Sequence, residues 1–257
     1  MSLLSMAVFD TDENKRSELT YQTLYSIRRT VDLSKHRLIV VDNGSCRRTK
    51  EMLSSMSEER HFEFDVIWLP DNIGTAGAIN EAWKRKRVGE NLIKMDNDVV
   101  IHTKGWVDEM DRAIERDPQI GIIGLKRKDL IETPFRTDDF KSELFMLPHE
   151  PYEPWIIVEK AKHIMGTCQM YSAELIKKIG YLYQPSLYGY DDVLASYRSK
   201  LAGFYNCFLP HIEMDHIDNT PTDYWQWKRD EAAKVDIQHQ RIVNEYLTGK
   251  RPIYHHV

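Results

Sequence analysis

Four short apolar runs in the first hundred residues, "MAVF", "RLIVVD", "FDVIWL" and "NLIKMD", are each followed by a stretch of helical period. This alternation constrains the fold more than any other feature. Strands without polar alternation are buried on both faces, and helices placed between them supply the cover, which is the pattern of a parallel sheet in an α/β domain. Leu24, Ile27 and Val31 mark the first helix, Met52, Leu53 and Met56 the second, and Ala76, Ile79 and Trp83 the third. Trp106, Met110 and Ile114 predict a fourth helix, and "IGIIGL" a further strand.

The pattern breaks near Lys126. From there to about Lys162 the chain is rich in charge and proline, with "RTDDF" and "PHEPYEP", and an irregular excursion is expected. Regularity returns with "HIMGTCQMYS", helices around Leu175 to Ile179 and around Leu194, Tyr197 and Leu201, the strand "FYNCFL", and a last helix carrying Val235, Ile242 and Tyr246 before a ragged tail. With 257 residues, 42% of them hydrophobic, the chain can bury one sizeable core. A net charge of −5 without a basic block gives no electrostatic footprint for nucleic acid. Cys46, Cys168 and Cys207 show no paired spacing, which fits a reducing, cytoplasmic compartment. No run is apolar enough to span a bilayer, though this leaves room for peripheral work at a membrane through a partner.

In open α/β sheets, ligands bind beyond the carboxyl ends of the strands, and four features fall there. Asp42 ends "RLIVVD" before turn formers, read either as an Asx turn or as an acceptor for a base or ribose. "PDNIGTAGAIN" opens a helix with Gly74 and Gly77, which serve a tight turn or the close approach of a nucleotide, with Asn72 and Asn80 adding amides. "MDNDV" places Asp96 and Asp98 one residue apart, read as a solvated acidic turn or as oxygen ligands for Mg²⁺ or Mn²⁺. "YGYDDV" carries Asp191 and Asp192 in an aromatic loop at a helix start. One carboxylate suffices to cap that helix; a second, desolvated beside rings, suits general-base work. His216, with His211 as competitor, follows the last strand.

In order and spacing these segments resemble the inverting glycosyltransferase family 2, with its nucleotide-sugar-binding GT-A fold. The resemblance rests on "RLIVVDNGS", "DNIGTAGAIN", "KMDNDVVI", "MGTCQMYSAELIKKIG" and "GYDDVLASYR". It implies a single domain over 1–257 with a mostly parallel central sheet flanked by helices. About 1–125 would form the nucleotide-sugar half, about 126–216 the acceptor and catalytic half, and 217–257 a helical extension. It implies nucleotide contacts at Thr11, Asp42, Asn72, Gly74, Gly77, Asn80 and Asp96. Asp98 would hold Mn²⁺ or Mg²⁺ directly, with Asp96 and His216 completing the metal site. Asp192 would be the base supported by Asp191, with Tyr188 and Tyr190 on the acceptor side. The expected donor is a UDP-sugar and the acceptor a hydroxyl of a glycan or other molecule. Departures are "FDTDENKR" in the first loop and an Asp-Asp pair where Glu-Asp is common.

Two other readings compete. "VFDTDENKR" resembles the start of a haloacid-dehalogenase-like phosphatase, with Asp10 as nucleophile and Asp12 as acid, and a non-catalytic carbohydrate-binding protein would carry the same segments. A sugar nucleotidyltransferase would need a glycine-rich first loop, and "FDTDENKRSE" has no glycine.

Overall fold

The structure, a computed structural model, describes residues 1–131, 143–148, 151–218 and 222–257. Strands β1 (Ser2–Val8), β2 (Arg37–Asn43), β3 (Asp65–Leu69) and β4 (Asn91–Met95) form a parallel block in the order β3-β2-β1-β4. Helices α1 (Ser17–Thr30), α2 (Arg47–Ser57) and α3 (Thr75–Trp83) connect them. The sheet then becomes mixed. The strand β9 (Cys168–Tyr171) lies antiparallel between β4 and β6 (Ile120–Arg127), and β6 pairs in parallel with β10 (Tyr205–His216). Beyond β10 come β8 (Ile157–Ala161) and β7 (Leu144–Met146), both antiparallel to their neighbours, while β5 (Val99–Ile101) pairs with the end of β10. The fold is a mixed α/β single domain.

Period-two alternation sorts the apolar side chains of the parallel block into two layers. Leu4, Met6 and Val8 of β1 face α1, α2 and α4 (Trp106–Arg116), meeting Leu24, Leu53 and Trp106. Leu3 with Ile39 and Val41 faces the opposite way, onto α3, α6 (Ala173–Ile179) and α7 (Asp191–Leu201), and meets Ile79, Trp83 and Leu175. Both faces are covered, hence the continuous apolar runs in the sequence.

Three strands were not apparent in the sequence: β5, β7 and β8 span three, three and five residues. With the short α5 (Lys128–Ile131), β7 and β8 give the stretch 126–162 more regularity than expected; "RTDDF" lies outside the described residues. The tail after α8 (Thr222–Leu247) is also not ragged. His255 donates its N–H to Ile179 O and accepts from Tyr181 N, so the chain is fixed beside α6.

Candidate active site

The carboxyl ends of β1, β2 and β4 open onto a cavity of about 1440 Å³, also lined by residues of α7 and α8. The acidic turn after β4 forms its floor. Asp96 donates its N–H to Thr167 O, and the pairing of β5 with β10 sets His216 opposite Val99, beside Asp98. His216 Nε2 thereby comes within 3.4 Å of Asp98 Oδ2. Asp98, His216 and Asp218 bring ligand atoms within 4.8 Å of one another.

This corner is already rich in cation contacts. The Arg16 guanidinium contacts Asp98 and sits 2.9 Å from Asp218, while Lys228 Nζ of α8 is 2.8 Å from Asp218. Burial raises the Asp98 pKa, but the His216 contact and the Arg16 charge outweigh it and hold this carboxyl well below its ordinary range. Its Oδ1 is buried without a hydrogen-bond partner. An orphaned carboxylate oxygen is costly unless something positive meets it, so the set fits a divalent cation, and two carboxylates with one imidazole suit Mn²⁺. Asp96 stands outside that converging set, about one-third exposed and 3.7 Å from Lys94 Nζ. Desolvation, with Asp98 and Asp191 nearby, pushes its carboxyl up to about 6. Asn97 turns inward, its amide donating to Asp10 Oδ1 and Thr20 Oγ1.

The second acidic pair opens α7, where Tyr190 takes a positive φ of 68° and turns the chain into the helix. Asp191 is buried, with Oδ2 2.9 Å from Lys94 Nζ, so one buried lysine of β4 ties the acidic turn to the acidic pair. Asp192 faces the cavity. Its Oδ1 accepts from Val193 N and its Oδ2 from Gly166 N at 2.8 Å, and His163 Nε2 lies 3.2 Å from Oδ2. Burial raises its pKa, but the His163 imidazole, Lys94 and the Val193 N–H hold it down to about 2. Gly166 lets the Lys94 ammonium come close: a Cβ there would sit 2.6 Å from Lys94 Nζ.

Of the residues expected from the sequence, Asn72, Asp96, Asp98, His216, Asp191, Asp192 and Tyr188 line the cavity. Several others do not. Asp42 is fully buried and accepts from Ser45 N, the Asx-turn role; its neighbour Asn43 lines the cavity instead, donating to Asn72 Oδ1 at 2.8 Å. Asn80 is consumed by the backbone of Leu182, which it both donates to and accepts from. Thr11 closes a local turn with Asn14. Gly77 packs on Ile73, while Gly74, at φ +83°, lets Leu187 approach the start of α3. Tyr190 stacks on His239 at 4.2 Å and donates to Asp236. His211 pairs with Glu109 outside the cavity.

Asp10, the nucleophile of the phosphatase reading, is wholly buried and accepts hydrogen bonds from Thr20, Thr49 and Asn97. It does not reach the cavity. Arg16, Asn43, Lys94, His163, Asp218 and Lys228 were missed in the sequence. Of these, only Asp218 left a local signal, two residues beyond His216.

The family model for glycosyl transferase family 2 matches residues 14–180, more than half of the chain, ending before Asp191. No curated protein matches by sequence. Among solved structures, the mannosyltransferase PcManGT from Pyrobaculum calidifontis, in complex with GDP-Man and Mn²⁺, superposes with a TM-score of 0.66 at 15% identity, over 93% of this chain and 62% of that one. GalNAc-T7 with UDP, GalNAc and Mn²⁺ gives 0.62 at 14%, over 84% and 43%. S. aureus TarS 1-349 in complex with UDP gives 0.60 at 16%, over 96% and 71%. The chain thus spans less than two thirds of the length of the first two. These likenesses establish a shared GT-A fold, and the sequence match adds membership: the chain belongs to glycosyl transferase family 2.

Proposed function

We propose that the protein transfers a sugar from a nucleoside-diphosphate sugar to an acceptor hydroxyl, with inversion at the anomeric carbon and with the help of a divalent cation. The observation that carries this reading is one cavity lined both by Asp98 and His216, which converge with Asp218, and by Asp192. The donor is a UDP-sugar; two of the structural relatives were solved with UDP and a third with GDP-Man and Mn²⁺. The nucleoside would lie over β1 and β2, where Phe9, Asn43 and Asn72 line the cavity.

Asp98, His216 and Asp218 would hold Mn²⁺ or Mg²⁺. The cation would stabilise the charge that grows on the diphosphate as the glycosidic bond breaks. Arg16 and Lys228 border the same corner and add positive charge there. Asp192 orients the acceptor hydroxyl and takes its proton. A carboxylate held near 2 is a weak base, yet the hydroxyl becomes strongly acidic once its oxygen bonds to the anomeric carbon, so proton transfer late in the step suffices. Lys94 fixes Asp191 and, through it, the start of α7.

The test is a screen of nucleoside diphosphates and their sugars for Mn²⁺-dependent thermal stabilisation, followed by assay of nucleoside diphosphate release and of the product's anomeric configuration. Asp192→Asn should lower kcat by about 10²–10⁴-fold with donor affinity retained. Full transfer by that variant, or a product of retained configuration, would refute the assignment.

A further inference from the structure

The cations that line the cavity fall into two groups. Arg16, Lys94, Arg127 and Lys228 each sit against a carboxylate: Asp98 and Asp218, Asp191, Asp129, and Asp218 respectively. Lys162 and Lys200 line the same cavity, are exposed, and have no carboxylate at ion-pair distance among the described residues. Both lie on the Asp192 side.

Position along α7 gives this side a ruler. Asp192, Val193, Ser196, Tyr197 and Lys200 recur at one, four, five and eight residues, a single helix face, and all five line the cavity. At about 1.5 Å per residue, Lys200 stands roughly 12 Å along the axis from Asp192. Tyr197, over one-third exposed, lies between them and offers a ring to the apolar face of a sugar or polyol. Ser196 is buried and accepts from Ile164 N, which fixes the segment carrying Lys162 and His163 against this face.

We infer that the acceptor is anionic: a sugar or polyol that presents its hydroxyl to Asp192 and carries a phosphate, one ring or a few bonds away, held by Lys200 and Lys162. This inference rests on the glycosyl-transfer reading above and specifies its second substrate. The offset between Asp192 and Lys200 along α7 separates the anion from the reacting oxygen, so the phosphate is not itself the nucleophile. The same chemistry is offered by a soluble sugar phosphate and by a phosphoglycerol lipid headgroup.

The experiment measures binding, so it does not depend on turnover. Glucose 6-phosphate and glucose are titrated calorimetrically into the full chain loaded with UDP and Mn²⁺. Phosphatidylcholine vesicles with and without phosphatidylglycerol are tested by co-sedimentation. The proposal expects glucose 6-phosphate or the phosphatidylglycerol vesicles to bind in preference to the neutral counterpart. It expects the Lys162→Gln/Lys200→Gln variant to bind the preferred probe roughly tenfold more weakly. Preference for the soluble probe assigns a free sugar phosphate, and preference for the vesicles a lipid headgroup. UDP affinity reports folding of the variant, and Lys200→Arg should restore most of the binding. Equal binding of charged and neutral probes, no binding of either charged probe, or an unchanged affinity in the double variant overturns the proposal. Loss of UDP and Mn²⁺ binding by the unmodified protein would instead count against the transferase reading itself.

Discussion

Replacing Lys94 with Met should destabilise the fold strongly. Its side chain is only 4% exposed, and the ammonium lies 2.9 Å from Asp191 and 3.7 Å from Asp96. Burial alone would depress the Lys94 pKa, but Asp191, Asp96 and Asp192 more than offset it and hold the pKa well above the ordinary lysine value. The methionine fills a similar volume, so the loss is electrostatic. It leaves Asp191 buried, and among the described residues the side-chain hydrogen-bond donor that remains to it is Gln184 Nε2, at 3.5 Å. Breaking a buried pair by removing one partner costs about 3–5 kcal/mol, which for a chain of this size lowers Tm by roughly 6–20 °C. A folded-state lysine pKa above the unfolded one adds stability below the unfolded value and loses it only as pH passes the folded one. The deficit should therefore be flat across neutral pH. Calorimetric or fluorescence melts of Lys94→Met, Asp191→Asn and the double variant measure it. The double variant should recover much of the loss, because both charges are then absent. A single variant melting within about 2 °C of the parent, or a double variant with strictly additive losses, would refute the argument.

Other perturbations separate the roles of the neighbouring groups. Arg16→Ala removes a shared partner of Asp98 and Asp218, so its melt should fall without metal and rise more steeply with Mn²⁺ than the parent's, in titrations followed by thermal shift. Asp10 is raised to about 6, chiefly by burial. A carboxyl raised on folding costs stability as pH climbs from the unfolded to the folded value. Asp10→Asn should thus gain up to about 2–3 kcal/mol above pH 6 and little near pH 4, read from urea melts at both. Asn43→Ala, which loses contacts to Asn72 and Gly74 O at the cavity edge, should weaken UDP binding while Asp42→Asn leaves it nearly unchanged, as isothermal titration would show.

The parallel block was legible in the sequence because strands covered on both faces must be apolar throughout, and helices covering them must repeat every three or four residues. The strands β5, β7 and β8 were not. Three to five residues are too few to display a period, and in β7 and β8 exposed Leu144, Met146 and Ile157 blur the alternation. At the site, carboxylates at strand ends stood out, but their partners did not. Lys94 reads in "LIKM" like an outward strand position, and only pairing with Asp191, almost a hundred residues later, explains its burial. Asp42 and Asn43 differ by one step in a strand, and that step decides which of them meets the cavity. Arg16 sits in a loop with no local sign that it will cross to Asp98 and Asp218.

Arg198 lies on α7, the helix that begins with Asp191 and Asp192, and is wholly buried. Its guanidinium donates to the carbonyls of Ile179, Tyr181 and Ile253, and burial draws its pKa down to about 10. The segment around Ile253 is therefore a keystone for the helix carrying the proposed base. A chain stopped at Gly249 would strand a charged group in the interior and free the rear of that helix, so that a cut remote from every substrate contact would be felt first as lost turnover.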